Sequence, residues 1–327
     1  TIDWYEKALA FLDKLPDTEA NKKQRVYVGT RLASVHDMLG HIREVLRILP
    51  PLEKLASEIG DLFSLGRIHV TLGYSLEQDL KWDEALEKLR RGLKISEELD
   101  DVENVIYAHF VLGRLNWCIG NFDKAIEHFK DGIRIVEERR GREKWRASPH
   151  YMMLGATHRL KGDLDEAEDN CRKALEYGEM ADNPVLMSRA LAHYSYACLE
   201  EGDVEKAKEL AERGLKLGQE VGDAGGIVLN FFDLGNVYAV KGEYEKSIEY
   251  CEEVKKLSDE SGTFKDFAVM AEGHKAYSYL HFGDLENAFQ CLATSFESAT
   301  PHLKGIIYRL YGEAYSLKSP PEYDKAQ

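Results

Sequence analysis

Apolar residues recur at helical spacing along most of the chain. Between positions 62 and 78, Leu65, Ile68, Leu72 and Leu76 lie three or four residues apart and therefore share one face of a helix. The segment 82–99 repeats this spacing with Ala85, Leu86, Leu89, Leu93 and Ile95. Each segment would form a helix of about 25 Å at about 1.5 Å per residue. The pattern predicts two antiparallel helices, which we name helix A and helix B, as the local unit of structure.

A short motif recurs about every forty residues. It is a turn, an aromatic or aliphatic residue, two polar residues and an alanine, as in Gly120-Asn-Phe-Asp-Lys-Ala125. Its last position falls at residues 8, 45, 85, 125, 167, 207, 247, 288 and 326. A spacing this regular predicts an array in which each helix pair is one repeat and neighbouring pairs share a core.

A column of small residues lies in the predicted helices A, seven positions before each turn. We call it the small column, and its members are Ala33, Gly73, Gly113, Gly155, Ser195, Gly235, Ala276 and Gly312. A second small set follows the motif in helix B, at Gly92, Gly132, Ala174, Gly214 and Ser295. Glycine inside a helix costs about 1 kcal/mol relative to alanine. Its recurrence therefore indicates close contact between helix backbones, with the large residue before it filling the space beside the contact.

These positions resemble the tetratricopeptide repeat (TPR), which carries a Leu-Gly pair in helix A and an alanine followed by a small residue in helix B. The matching pairs are Leu72-Gly73, Leu112-Gly113, Leu154-Gly155 and Leu234-Gly235. The resemblance implies an all-α fold, a right-handed superhelix (α-solenoid) of antiparallel helix pairs. The period near forty is similar to the subclass with longer helices, since the common repeat has about 34 residues.

We expect a single TPR-like solenoid over residues 1–327. Full repeats are predicted at about 20–60, 61–100, 101–141, 142–183, 184–223, 224–263 and 264–302, with half repeats at 1–19 and 303–327. Between positions 137 and 150 the joint is irregular, and Ser148-Pro149 is the predicted cap and first helical residue of a late helix A. Both ends fall inside a hairpin, at Trp4 and at Ala326. We therefore expect either further chain or self-association through uncapped ends.

Three segments carry a narrower resemblance. They are similar to the C-terminal repeat region of bacterial multidomain proteins. The segments are Asp13-Lys-Leu-Pro-Asp-Thr18, the short motifs between Gly60 and Arg67, and residues 112–126. In those proteins a nucleotidyl cyclase or another output domain precedes a STAND-type AAA ATPase. The resemblance implies a sensor or scaffold segment of a larger signalling protein. Neither the cyclase's metal-binding aspartates nor the ATPase's phosphate loop can be placed in this sequence.

Composition narrows the range of partners. Acidic residues number 58 against 43 basic ones, a formal net charge of −15, which argues against sequence-independent binding of nucleic acid. Apolar runs stay far below the roughly 18 residues that would span a bilayer, so no membrane partner is expected. Five cysteines without a C-x-x-C pair favour a reducing, cytoplasmic location over a disulfide framework.

The common motifs for catalysis or cofactor binding do not occur in the sequence. It contains no nucleotide-binding loop, no zinc-protease motif and no nucleophile elbow. We therefore predict that the protein is not an enzyme and that it has no cofactor and no metal site. Cys171 and Cys251 are expected in the core, and His274 and His281 at the surface or in a groove. The basic run Arg139, Arg140, Arg142, Lys144 and Arg146 is expected to be a solvated turn, with contact to an acidic partner or a phosphate as the alternative.

The resemblance implies that helices A line a concave surface, and three register positions then face it. They lie six residues before, one after and four after the small column, and they hold Tyr27, Arg67, Tyr74, Tyr107, Arg114, Trp117, Arg159, Arg189, Tyr196, Asn236 and Tyr277. Arginine suits carboxylates or phosphates, aromatic faces suit apolar anchors and asparagine suits a peptide backbone. The alternative is that the arginines pair with glutamates on neighbouring helices while the tyrosines fill the seam between repeats.

The predicted function is therefore a non-catalytic protein-protein interaction module. It would bind a peptide or protein segment, extended or helical, in the concave groove. The alternative is an intramolecular sensor or regulatory arm of a STAND ATPase, a nucleotidyl cyclase or a transcription regulator.

Overall fold

The computed structural model describes residues 2–139, 141, 143–299 and 301–317, and every regular element in these ranges is a helix. The α-helices are α1 (Ile2–Leu12), α2 (Glu19–Met38), α3 (Ile42–Glu58), α4 (Leu62–Gln78), α5 (Trp82–Glu98), α6 (Val102–Cys118), α7 (Phe122–Arg139), α8 (Ser148–Lys161), α9 (Leu164–Met180), α10 (Pro184–Glu201), α11 (Val204–Val221), α12 (Ala224–Val240), α13 (Tyr244–Ser261), α14 (Lys265–Phe282), α15 (Leu285–Ser298) and α16 (Pro301–Leu317). A 3₁₀ helix, Lys144–Ala147, precedes α8. Even-numbered helices are the predicted helices A, and odd-numbered ones the helices B.

The chain forms two compact units. Unit 1 comprises Thr1–Asn116 and Asp123–Gly141, and unit 2 comprises Trp117–Phe122 and Arg142–Gln327. In unit 1, Val45, Leu49 and Ile68 belong to one buried cluster and Leu89 and Leu112 to a second. The sequence-based expectation of one solenoid with its repeat boundaries stays a prediction.

Helices pack in sequence order within each unit. Helix α4 packs against α5 in unit 1, and α10 against both α9 and α11 in unit 2. Helices A also contact the helix A of the next hairpin: α2 contacts α4, α8 contacts α10, α10 contacts α12, α12 contacts α14, and α14 contacts α16. The fold is therefore all-α and TPR-like, built from antiparallel hairpins whose A helices stack side by side.

The small column lies at the contact between the two helices of a hairpin, as the sequence predicts. A Cβ atom added to Gly155 would lie 2.5 Å from Cys171 Sγ and 3.0 Å from the carbonyl oxygen of Ala167. In helix B, a Cβ atom on Gly92 would lie 2.7 Å from Val70 Cγ2. The two backbones are therefore too close to admit a side chain at these positions.

Polar caps begin several helices A at the predicted joints. Asp61 accepts a hydrogen bond from the Ser64 N–H at 3.1 Å, and Asn183 accepts from the Val185 N–H at the same distance. These contacts satisfy backbone donors that the first helical turn leaves unpaired. The late start of α8 is confirmed, but Ser148 is its first residue and not its cap, since the Ser148 hydroxyl donates instead to the Ala174 carbonyl oxygen at 2.9 Å.

The cysteines behave as small core residues. All five are buried and form no disulfide, and burial raises the pKa of the Cys171 and Cys251 thiols to about 12. The predicted core location of these two residues is confirmed. In the part of the chain that the structure describes, no helix is both long enough and apolar enough to cross a membrane. The predicted last half-motif, 322–326, lies outside the described residues.

The close helix contact yields a stability prediction. Gly155→Val should lower the free energy of unfolding by about 1–3 kcal/mol, because the new side chain must displace Cys171 and the α9 backbone. Gly305→Val is the matched control, since a Cβ atom on this exposed helical glycine meets no atom within 4 Å. The control should change stability by less than about 0.5 kcal/mol. Urea unfolding followed by circular dichroism measures both; equal effects would contradict the packing role of Gly155.

Candidate functional site

Two of the predicted groove arginines connect successive helices A. In unit 1, Arg67 Nε donates to Asp101 Oδ2 at 2.8 Å and its Nη2 donates to Oδ1 at 2.9 Å. In unit 2, Arg189 binds Asp223 in the same bidentate way, at 2.9 and 2.5 Å. Asp223 also accepts from the Gly226 N–H at the start of α12. For Arg67 and Arg189 the structure thus shows pairing with a neighbouring helix, which is the alternative interpretation of the sequence.

A polar cluster of unit 1 lies on α4 and α6. Arg114 donates from Nη2 to Glu77 Oε1 at 3.2 Å and from Nη1 to the Tyr74 hydroxyl at 3.4 Å, and its guanidinium lies 5.2 Å from the Tyr74 ring centroid. The rings of Tyr74 and Tyr107 are 6.2 Å apart. Three predicted groove residues therefore meet here, and the arginine among them pairs with a buried carboxylate.

Burial dominates the ionisation of this cluster's neighbours. It raises the pKa of Asp37 on α2 to about 6, although Arg114 acts in the opposite direction. It also raises the pKa of Tyr107 well above its usual value, with Asp37 adding to the effect. Tyr27, the remaining predicted residue of unit 1, is exposed and lies beside Arg31, with 5.4 Å between its ring centroid and the guanidinium.

The predicted residues Arg159 and Tyr196 meet in unit 2. The Arg159 guanidinium stacks 4.1 Å from the Tyr196 ring centroid and donates from Nη1 to Glu200 Oε1 at 2.7 Å. The Tyr196 ring is nearly parallel to Phe232, with 5.9 Å between the centroids. Phe232 in turn contacts the ring of His274 edge-to-face at 5.1 Å. Side chains from α8, α10, α12 and α14 therefore line one continuous surface.

Asn236 lies in the same register on α12 as Tyr196 on α10. It is 4% exposed, and neither its Oδ1 nor its Nδ2 has a hydrogen-bond partner among the residues that the structure describes. Tyr277, at the same register on α14, packs against His281 with ring centroids 4.3 Å apart. Trp117, at the end of α6, is half-buried.

Four polar residues at these helix faces were missed by the sequence analysis, and a fifth, His274, was expected only at the surface or in a groove. Asp37 and Glu77 hold the same register as Trp117 and Arg159, four residues after the small column. His193, Asp233 and His274 share a further register, two residues before the small column. A wider comparison of register positions would have found all five, because they recur with the period of the repeat. We name Arg159, His193, Tyr196, Asp233, Asn236 and His274 the A-face cluster.

Burial disfavours the charged form of three members of the A-face cluster. It lowers the pKa of His193 and of His274 to about 4, and nearby arginines lower both further. It raises the pKa of Asp233 well above its usual value, while Arg159 acts against the rise. Asp233 is 3% exposed, and its Oδ2 lacks a hydrogen-bond partner within the described ranges.

The two described arginines of the basic run 139–146 are paired. Arg139 donates to Asp100 at 2.7 Å, and Arg146 donates to Glu143 at 3.0 Å, whereas Arg140 and Arg142 lie outside the described residues. Among the described residues, no three histidine, cysteine or acidic side chains come together in a way that could hold a metal ion.

The neutral histidines of the A-face cluster predict a pH dependence of stability. Because their pKa is lowered in the folded state, the unfolded chain binds protons more tightly, so the stability they contribute above pH 6.5 is lost as the pH falls toward about 4. Between about pH 7 and pH 5, a His193→Gln, His274→Gln double variant should lose about 1–3 kcal/mol less free energy of unfolding than the parent. Urea unfolding at both pH values measures this difference. Asp233 contributes with the opposite sign in both proteins and cancels. Parallel losses in the two proteins would contradict the assignment.

Solved structures with a similar fold span the whole chain. A Rap protein complexed with competence and sporulation factor superimposes with a TM-score of 0.65 and 16% identity, over 100% of this chain and 95% of that one. Aspartyl phosphate phosphatase F from Bacillus subtilis gives 0.61 and 13%, over 99% and 90%. A STAND protein with a tetratricopeptide repeat sensor from Pyrococcus horikoshii gives 0.54 and 17%, over 99% of this chain and 50% of that one. At sequence identities this low, the structural similarity shows a shared fold and nothing further.

The sequence comparisons establish the family. No curated protein sequence is significantly similar to the chain. Residues 93–312 match the family model described as the MalT-like TPR region, which covers more than half of the chain and includes the A-face cluster. The Leu-Gly pairs, the stacked helices A and this match agree: the chain belongs to the MalT-like TPR family.

Proposed function

We propose that the chain is a non-catalytic interaction module, and that it binds a peptide or protein segment along the helices A of unit 2. The TPR-like fold is typical of protein-interaction modules. Within the A-face cluster, Arg159, Tyr196 and Asn236 are the residues in contact with the ligand. The other predicted groove residues stay predictions, and Arg67 and Arg189 serve the stacking of the helices.

Asn236 is the observation that carries the proposal. A buried amide normally has its hydrogen bonds satisfied, and leaving a buried polar group unpaired costs about 1–3 kcal/mol. Asn236 instead keeps both a donor and an acceptor unpaired among the described residues. One peptide unit of a bound segment offers a matching pair, a carbonyl oxygen and an N–H. The ring of Tyr196, at the same register as this amide on the neighbouring helix A, supplies apolar contact area for a side chain of the same segment, and the buried ring of Phe232 stacks against it.

Two of the similar structures are consistent with this proposal. The Rap protein was solved with its factor bound, and a related regulator of plasmid conjugation was solved in complex with a peptide. These ligands belong to those proteins, whose identity to this chain is low. They support a TPR-like surface of this length as a peptide-binding surface.

The alternative function is an intramolecular sensor arm of a STAND ATPase or another output domain. It is favoured by the similarity to the Pyrococcus horikoshii protein, which spans half of that chain and whose repeats are described as a sensor. Sequencing the DNA on both sides of the encoding segment separates the two: an ATPase or cyclase domain in the same reading frame supports the sensor arm, and a stop codon at each end excludes it.

The role of Asn236 predicts opposite effects on binding and stability. Random peptides displayed on phage are selected on the parent protein, and the recovered peptides are titrated by calorimetry against Asn236→Ala. Loss of two hydrogen bonds at about 0.5–1.5 kcal/mol each should weaken binding by about 5-fold to 100-fold. Stability of the empty protein should stay equal or rise, since the variant removes an unsatisfied buried amide.

The matched control is Asn170→Ala, because Asn170 is half-buried on helix B, where its amide donates to the Glu166 carbonyl oxygen. This variant should bind the selected peptides as the parent does. Peptides that bind Asn236→Ala as tightly as the parent would exclude the proposed site, and a selection that yields no binding peptide would count against the whole function.

A further inference from the structure

His193, Asp233 and His274 form a row across three adjacent helices. They occupy the register two residues before the small column on α10, α12 and α14, with spacings of 40 and 41 residues. Because α12 contacts both α10 and α14, the three side chains follow one another across the helices. Asp233 in the middle is nine-tenths buried, with Oδ2 unpaired among the described residues. Asp233 therefore gives the row a buried polar atom that has no hydrogen-bond partner within the described ranges.

Arginines supply the charge around this row. Arg159 on α8 and Arg189 on α10 act on His193, while Arg159 and Arg309 on α16 act on His274. Arg159 is also the charged group that acts on Asp233. Glu200 and Asp223 are the nearby carboxylates, and each is bound to an arginine, Arg159 and Arg189 respectively.

The charged groups that act on the two imidazoles are cations. Every one of them lowers the pKa of His193 or His274, as cations do, and none raises it. Arg159 acts on His274 although two helices A, α10 and α12, lie between α8 and α14 in the order of the chain.

Asp233 strengthens this pattern because burial favours its protonated form. A buried carboxyl group that holds its proton is a hydrogen-bond donor, and it can donate to a carboxylate in a site that excludes water. The row therefore offers an O–H donor between two imidazoles whose pKa an approaching anion would raise. Glu200 accepts a hydrogen bond from an N–H group on Arg159 Nη1. A guanidinium carries five N–H groups in all.

We infer that the row of His193, Asp233 and His274 binds acidic side chains of a peptide segment, with Arg159 supplying the charge. The inference rests on the proposed function and names the chemistry of its ligand. Asp233 donates its proton to a ligand carboxylate oxygen, Arg159 attracts the carboxylate, and the histidines become more basic beside it. Two separated arginines, on α8 and α16, flank the row, so a segment with several acidic side chains fits it better than a single terminal carboxylate.

A cationic ligand predicts the opposite behaviour. An ammonium or guanidinium group would have to displace the proton of Asp233 and approach Arg159, so its affinity would increase as the pH rises. When an acidic ligand binds, the histidines take up protons and Asp233 must keep its own proton. The affinity for an acidic ligand therefore increases as the pH falls. Glutamate side chains, with a pKa near 4.3, stay ionised at about pH 5.5.

The test uses three pools of short peptides labelled with tetramethylrhodamine. Alternate positions are fixed as glutamate, lysine or glutamine and the others are random, with acetylated and amidated ends so that terminal charges do not contribute. Fluorescence anisotropy with the full chain should show the glutamate pool binding at least about tenfold more tightly than the lysine pool. Its affinity should rise by roughly threefold to tenfold from about pH 7.5 to about pH 5.5, through partial uptake of one proton.

Variants identify the groups involved. Arg159→Gln should weaken the glutamate pool by about tenfold or more, whereas Arg172→Gln, on helix B and paired with Asp169 and Glu176, should leave it unchanged. Asp233→Asn keeps a donor and should change affinity by less than about threefold. Circular dichroism confirms the fold of each variant, and the comparison of pools on the parent protein does not depend on any substitution.

The outcomes separate the inference from the proposed function. Preference for the lysine pool, rising with pH and abolished by Asp233→Asn, would overturn the acidic ligand while leaving peptide binding intact. So would equal binding of all three pools that depends on Asn236. A glutamate pool with a free carboxy terminus that binds far more tightly than its amidated counterpart would replace acidic side chains by a terminal carboxylate, and absence of binding by every pool would overturn both proposals.

Discussion

Close backbone contact between the two helices of each hairpin is the constraint on which the other features depend. At Gly155 the opposing helix leaves no room for a Cβ atom, and Gly73, Gly113 and Gly235 lie in the same kind of contact. A fixed contact sets the rotation of helix A about its own axis. Every residue at a given distance from the small column therefore lies on the same face in each hairpin. The groups that act together across α8 to α16 can do so because this rotation is repeated.

The periodic features of the fold could be predicted from the sequence for this reason. Small residues are rare inside helices without cause, so their spacing identified the hairpins, and α4 begins and ends where the apolar pattern predicted. The structure adds caps such as Asp61 and Asn183 at the predicted boundaries between repeats. The sequence failed at Ser148, whose hydroxyl bonds a distant carbonyl oxygen, because a tertiary contact replaced the local one.

The candidate site was less predictable because it depends on burial. Arginine and aromatic residues signal a binding surface by their type, and the sequence analysis selected them on that ground. Asp233 and His193 look like solvated residues in a helical sequence. Only their enclosure between neighbouring helices shows that their charged forms are disfavoured. The structure also shows that Asp233 Oδ2 is unpaired among the described residues. Their shared register was visible in the sequence, but their protonation states were not.

Register also separates arginines that the sequence treats as equivalent. Six residues before the small column, Arg189 lies near the start of its helix, within reach of the aspartate that caps the next helix A, and its guanidinium fork matches that carboxylate. Four residues after the small column, Arg159 lies two to three turns further along, beyond any capping aspartate, and it stacks on Tyr196. The first arginine stabilises a joint that every hairpin needs. The second orders the A face, where Asp233 Oδ2 and the Asn236 amide have no hydrogen-bond partner in the described part of the chain, at a cost that a bound ligand would recover.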